Sequence, residues 1–166
     1  MDPGRFHWLH FEGRNVPETR RMLRRVREVA PRVACSVEIE KPRPGIESLY
    51  ADADLLLFSR AYARHAGYDD PLDLLEAVRG QTPAEWLVCA WGAEGAAALD
   101  RRGGAVRSDA VPPARVVDTL GAGDVFNAAV IDGLVRGWAL EETLPRACRL
   151  AGQKCGQWGL SGMALT

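Results

Sequence analysis

Short, nearly continuous apolar stretches recur along the chain at Val33–Glu38, Ala53–Ser59 and Glu85–Ala90, after a briefer one at Phe6–Phe11. Stretches apolar on both faces suit strands buried in the middle of a parallel sheet. Between them lie helical patterns: Pro17–Ala30, opened by Asn15 with Pro17 in its first turn, then Ala61–Ala66 and Leu72–Arg79. This alternation of strand and helix predicts a doubly wound α/β sheet with helices on both faces. Ala96–Asp100 and Ala105–Ser108, separated by Arg102-Gly103-Gly104, read as a β-hairpin, because paired glycines supply the positive φ of a tight turn. Helices over Asp124–Arg136 and about Leu140–Lys154 complete the pattern, and Pro145 is expected in the first turn of the second, since deeper in it would break the helix. With no internal repeat and no low-complexity linker, residues 1–166 read as one compact unit.

Charge changes this picture little. The 166 residues carry 21 basic and 22 acidic side chains, so no strongly charged partner is implied. Arg20, Arg21, Arg24, Arg25 and Arg27 share their helix with Glu18, Leu23, Val26 and Glu28, the layout of a solvated amphipathic face and not of a nucleic-acid patch. No apolar stretch is long enough to span a bilayer, and Met1-Asp2-Pro3-Gly4-Arg5 lacks a signal-peptide pattern, which makes a cytoplasmic location the expectation. Cys35, Cys89, Cys148 and Cys155 have no paired spacing and read as inert reduced thiols; His7, His10 and His65 form no ligand cluster.

The chemistry concentrates in Asp118-Thr119-Leu120-Gly121-Ala122-Gly123-Asp124-Val125-Phe126-Asn127-Ala128-Ala129-Val130-Ile131, which follows the Pro112-Pro113 loop and runs into a helix. Gly121, Ala122 and Gly123 are small enough for a phosphate to reach the backbone, at a place where helix N–H groups lack intrahelical partners. The helix dipole adds about half a positive charge there, suited to the negative charge of a transferring phosphoryl group. Asp124 is a carboxylate beside that anion hole and can take a proton from an attacking hydroxyl. Taken alone, Gly-Ala-Gly-Asp is equally a tight turn followed by a helix cap. No G-x-x-x-x-G-K-[ST] or G-x-G-x-x-G occurs, so P-loop and dinucleotide readings fall away.

All 14 residues of that segment fit the second signature of the PfkB (ribokinase-type) kinases, which the chain therefore resembles. The resemblance implies a ribokinase-like, Rossmann-like sheet, an anion hole at Gly121, Ala122 and Gly123, and Asp124 as the base that activates a sugar hydroxyl. Further stretches resemble the ketohexokinase branch in particular: Trp8 to Asn15, Ser36 to Arg43, Val88 to Gly95, Ser108-Asp109-Ala110, Pro112-Pro113 and Ala151 to Gly156. They imply ATP-dependent phosphorylation of fructose to fructose 1-phosphate, with Gly92, Ala93, Glu94 and Gly95 at the nucleotide, where open α/β sheets bind ligands. Pro112, Pro113, Phe126 and Cys148 would lie near the adenine, although Phe126 and Cys148 read equally as core.

ATP, Mg2+ and K+ are the cofactors the resemblance implies, the partners being nucleotide and a small sugar, with a homodimer for the full-length form. Where ribokinases carry N-x-x-E, a motif that ketohexokinases also lack, this chain has Ser59-Arg60-Ala61-Tyr62, which leaves magnesium unassigned except for Glu40 as a candidate for a water-mediated contact. Family members hold further N-terminal strands, a β-structured lid and most sugar-binding residues, so the expectation is a C-terminal, nucleotide-binding portion, truncated at its N-terminus, lid absent and inactive alone. Two other readings stay open: another PfkB sugar or nucleoside kinase, and a non-catalytic short form that binds nucleotide or a full-length subunit.

Overall fold

The structure, a computed structural model, describes residues 2–163. Six strands form one sheet in the order β1-β2-β3-β4-β5-β6: β1 Trp8–Glu12, β2 Ala34–Ile39, β3 Leu55–Ser59, β4 Trp86–Ala90, β5 Ala96–Asp100 and β6 Ala105–Ser108. The α-helices, in chain order, are α1 Val16–Val29, α2 Arg60–His65, α3 Pro71–Arg79, α4 Ala122–Val135 and α5 Leu140–Cys155. β1 pairs parallel with β2, Trp8 opposite Ala34, and β2 pairs parallel with β3, Ser36 opposite Leu55. Contacts divide the chain into two compact units, the first running to Cys89 and taking in Ala98–Ala105, the second made of Ala90–Ala97 and the chain from Val106 on.

In the first unit the apolar stretches foreseen as inner strands are buried along their length: Cys35, Val37 and Ile39 of β2 and Leu55, Leu56 and Leu57 of β3 have next to no exposed surface. α1 begins where Asn15 Oδ1 accepts the Glu18 N–H, with Pro17 in its first turn, a position that needs no N–H. Its basic face is not wholly solvated. Arg27 donates to the Asp52 and Val33 carbonyls and to Asp54 Oδ2 at 2.7 Å, while the same carboxylate oxygen accepts the Cys35 N–H at 2.6 Å. Arg27 thus ties α1 to the entrances of β2 and β3. Trp8 Nε1 and His10 Nδ1 both meet Ser36 Oγ, at 2.9 and 2.8 Å, which gives His10 a packing role. At the position of the ribokinase N-x-x-E motif, Ser59 caps α2 by accepting the Tyr62 N–H and donates its hydroxyl to the Glu40 carbonyl. The hairpin turn closes through Asp100 N–H to the Gly104 carbonyl at 3.0 Å, with Gly103 at φ 91°.

The second unit is built on α4 against α5. The helices approach closely at Gly133, where a Cβ would sit 2.6 Å from Thr143 Oγ1. Pro145 is not in the first turn of α5 as expected; it lies inside the helix, one turn further on. The helix survives because Pro145 and Glu141, whose carbonyl loses its i→i−4 donor, both face solvent, so water replaces the missing bond. Among the described residues no helix is long and apolar enough to cross a membrane.

Candidate active site

The segment from Arg115 to Gly121 has no regular structure, yet it is tightly held. The Val117 and Asp118 N–H groups both donate to the Cys155 carbonyl, at 2.8 and 3.2 Å. Asp118 Oδ1 accepts the Leu120 N–H at 2.9 Å, a side-chain turn typical of Asp. Asp118 Oδ2 accepts from Lys154 Nζ at 2.9 Å, and the Asp118 carbonyl accepts from the same ammonium at 3.0 Å. The Lys154 hydrogen bond, supported by the Leu120 N–H, holds the Asp118 carboxyl below the usual carboxylate range.

This segment delivers the chain to Gly121, which caps α4 in the left-handed region at φ 82°, a conformation that favours glycine. α4 therefore starts at Ala122, two residues before the expected Asp124, and Ala122, Gly123 and Asp124 form its first turn. Their N–H groups are not equivalent. Ala122 N–H donates back to the Thr119 carbonyl at 3.2 Å, whereas those of Gly121, Gly123 and Asp124 have no backbone acceptor among the described residues. The donors open to an anion are thus those of Gly121, Gly123 and Asp124, and Ala122 contributes its small side chain to the site wall. A Cβ on Gly123 would meet nothing within 4 Å, so no packing within the chain demands glycine there. The Asp124 carboxylate is exposed and has no hydrogen bond or ion pair among the described residues, leaving its lone pairs open to an incoming hydroxyl.

Beside this turn the second unit encloses a cavity of about 370 Å³. Ala122, Gly123, Phe126 and Thr119 form one wall, Gly92, Ala93 and Gly95 another, Val111, Pro112, Pro113 and Val116 a third, and Cys148, Ala151, Gly152 and Cys155 of α5 the floor. Gly95 makes the shape possible: at φ 96° it packs so close that a Cβ would lie 2.0 Å from the Ser108 carbonyl oxygen. Cys148 Sγ lies 3.9 Å from that same oxygen, and burial pushes its thiol up. Phe126 and Cys148, which the sequence left between core and ligand site, are each 5% exposed or less, and each lines the cavity. Glu94 stands apart, exposed and outside the lining. Sequence reasoning quoted Gly152 and Lys154 only as parts of a resemblance. A buried lysine two residues after Gly152 offers no signal in sequence alone, because its partner Asp118 is fixed only by the fold. Among the described residues no group of three or more His, Cys, Asp and Glu side chains could hold a metal ion.

The pfkB family of carbohydrate kinases matches residues 19–165. The chain belongs to that family. Ketohexokinase of Mus musculus is 42% identical to this pfkB chain over 98% of its length, and the chain spans 57% of that protein. Among solved structures, a putative ribokinase from Agrobacterium tumefaciens superposes with a TM-score of 0.81 at 19% identity, covering 95% of this chain and 52% of its own. Adenosine kinase from Sinorhizobium meliloti superposes at 0.78 and 20% identity, covering 98% and 53%. Arabidopsis thaliana ribokinase, solved with ribose and ATP, superposes at 0.76 and 21% identity, covering 92% and 51%. At these identities the structures speak for the shared fold, so this pfkB chain has the ribokinase-type α/β architecture that its strand pattern foretold.

Proposed function

We propose that residues 1–166 form the nucleotide-binding, base-bearing portion of a ketohexokinase-type enzyme that transfers the γ-phosphoryl group of ATP to a hydroxyl of a ketohexose, fructose giving fructose 1-phosphate. The observation that carries this reading is the adjacency, within one helical turn, of an unengaged carboxylate at Asp124 and open N–H donors at Gly121 and Gly123. The 42% identity to a ketohexokinase supports the sugar class.

In this reading the adenine and ribose enter the apolar cavity between Pro112-Pro113 and α5, with Phe126 and Cys148 against the base and the Gly92–Gly95 turn along the sugar-phosphate. The phosphates reach the α4 N-terminus, where no Cβ stands at Gly123 to block them. Asp124 takes the proton of the attacking hydroxyl as the oxygen–phosphorus bond forms and the bond to ADP breaks. The open N–H groups and the helix dipole stabilise the charge that spreads over the phosphoryl oxygens. Mg2+ would travel with the phosphates, whose oxygens and bound waters supply most of its ligands, so it needs no dedicated cluster of side chains.

The chain spans 57% of its ketohexokinase relative, and orienting the sugar falls to the part of such an enzyme outside this chain. The isolated chain is accordingly expected to bind ATP without sugar-dependent ADP release. The deciding experiment is Asp124→Asn in a full-length kinase carrying this chain. Asn keeps the size and the hydrogen-bond acceptor of Asp but cannot take the proton, so ATP affinity should hold while turnover falls by about 10²–10⁴-fold. Turnover within about threefold of the parent is far short of losing a general base and would remove Asp124 from that role.

A further inference from the structure

Lys154 is the largest fully buried side chain of the second unit, 1% exposed, in a family whose resemblance implied a K+ ion. Its ammonium has three N–H donors, and three oxygens face it: Asp118 Oδ2 at 2.9 Å, the Asp118 carbonyl at 3.0 Å and the Gln157 carbonyl at 3.4 Å. One carboxylate and two carbonyls are the donor set that a hard cation takes. Here a covalently attached cation fills it.

The place of this cage is what gives it meaning. Asp118 uses its other carboxylate oxygen on the Leu120 N–H, so the ammonium, the carboxylate and the loop backbone form one chain of bonds ending at the residue before Gly121. The lysine stem continues beneath the turn itself, with Cε 3.9 Å from where a Gly121 Cβ would stand. A plain structural ion pair is often replaceable by apolar side chains of similar volume at little cost. This one is not, because the apolar replacement strands two backbone carbonyls along with the carboxylate.

We propose that the Lys154 ammonium is a built-in cation that sets the geometry of the Gly121–Gly123 turn for a nucleotide phosphate. Lys154 acts as a positioning residue: it touches the loop and never the ligand. The K+ implied by the family resemblance does not fit this cage, whose oxygens are already committed. The inference rests on the reading of the turn as a phosphate site.

The test uses the whole 166-residue chain and separates the two ideas. Backbone hydrogen exchange at Val117, Asp118 and Leu120 reads the cage without any nucleotide, and calorimetric ATP titration reads the phosphate site. In the parent, exchange at the three amides should be the same in potassium and in tetramethylammonium salts of equal ionic strength, because the cage is already filled; protection that rises severalfold with K+ overturns the proposal, and this arm needs no variant. Lys154→Ala removes the equivalent of n-propylammonium. It should speed exchange at the three amides and weaken ATP binding by about tenfold, the scale of losing one charge-assisted hydrogen bond. Added n-propylammonium should restore both, and tetramethylammonium neither. A folded Lys154→Ala chain with parental exchange, or one that n-propylammonium leaves unrestored, refutes the role of the ammonium. K+-independent exchange in the parent and propylammonium rescue of exchange in Lys154→Ala, with no ATP binding by the parent, sustain the cage as loop clamp and refute the phosphate reading instead.

Discussion

Two glycines that face the same cavity should respond to an added methyl group with opposite signs in stability. At Gly152 of α5 a Cβ would lie 1.8 Å from the Val111 carbonyl oxygen and 2.9 Å from its carbon, both backbone atoms that no rotamer change can move. Gly152→Ala must push the Val111–Pro112 segment away from α5, an overpacking of the kind that costs about 1–3 kcal/mol. In a chain of this size each kcal/mol moves the melting temperature by about 2–4 °C, so a loss of about 2–12 °C is expected. At Gly123, in the first turn of α4, the added Cβ meets nothing within 4 Å. Gly123→Ala relieves the backbone-entropy cost of a helical glycine and should stabilise the chain by up to about 1 kcal/mol. Yet both variants should bind ATP more weakly, Gly152→Ala because a cavity wall has moved and Gly123→Ala because its methyl group stands where the phosphate approaches. Differential scanning calorimetry with and without ATP checks all four outcomes. Gly123→Ala with parental ATP affinity would remove the phosphate from that turn, and Gly152→Ala with a parental melting temperature would refute the close approach of α5 to Val111.

Further outcomes follow from protons and thiols. Because the Asp118 carboxyl is held low in the folded chain, its ion pair contributes stability above the ordinary carboxylate value of about 3.9 and loses it as pH falls through the lowered folded value. The stability gap between the parent and Asp118→Asn should therefore be constant from neutral pH to about 5 and shrink only in stronger acid; chemical denaturation across pH measures it, and a gap that grows on acidification contradicts the pairing. Burial pushes the Cys35 thiol up to about 11 and Cys89 to about 12, so neither forms thiolate near neutral pH. Cys155, partly exposed at the cavity floor, should be alkylated first, and ATP should slow that reaction. Peptide mapping by mass spectrometry decides this, and labelling of Cys35 at a matching rate in folded protein contradicts the burial.

What the sequence made legible, and what it hid, divides along physical lines. The inner strands announced themselves because burial on both faces demands unbroken apolar stretches such as Leu55-Leu56-Leu57. The turn into α4 was legible because consecutive small residues, Gly121 to Gly123, stand directly before an apolar helical pattern. Pro145 misled, since its tolerance depends on which face of α5 meets solvent, and that is settled by packing and not by local propensity. The left-handed residue of the turn is Gly121 and not Gly123; the sequence shows two glycines and not which one bends. Ala122 was expected to donate to the anion, and its N–H is instead spent on Thr119. Lys154 and Asp118 lie far apart in sequence, and only the return of α5 beneath the loop joins them.

The same motif contains two carboxylates, and their surroundings assign them different work. Asp118 has one oxygen on the Leu120 N–H and the other on the Lys154 ammonium, so its lone pairs are committed and its proton affinity is lowered. A carboxylate so engaged is a poor base and a good strut. Asp124, six residues on, stands exposed at the mouth of α4 with no partner among the described residues, so an incoming hydroxyl meets a free acceptor. Exchanging their environments would exchange their fitness for those roles, so one short segment can hold both a strut and the proposed base without interference. The strut also keeps the base in place: were Asp118 loose, Gly121 would lose its fixed approach, and the first turn of α4, with its open donors and Asp124, would shift away from the phosphate it is proposed to meet. A displacement of about 1 Å there is enough to cost two orders of magnitude in rate. On the proposed reading of the turn, the Lys154–Asp118 pair serves its chemistry as much as the stability of the fold.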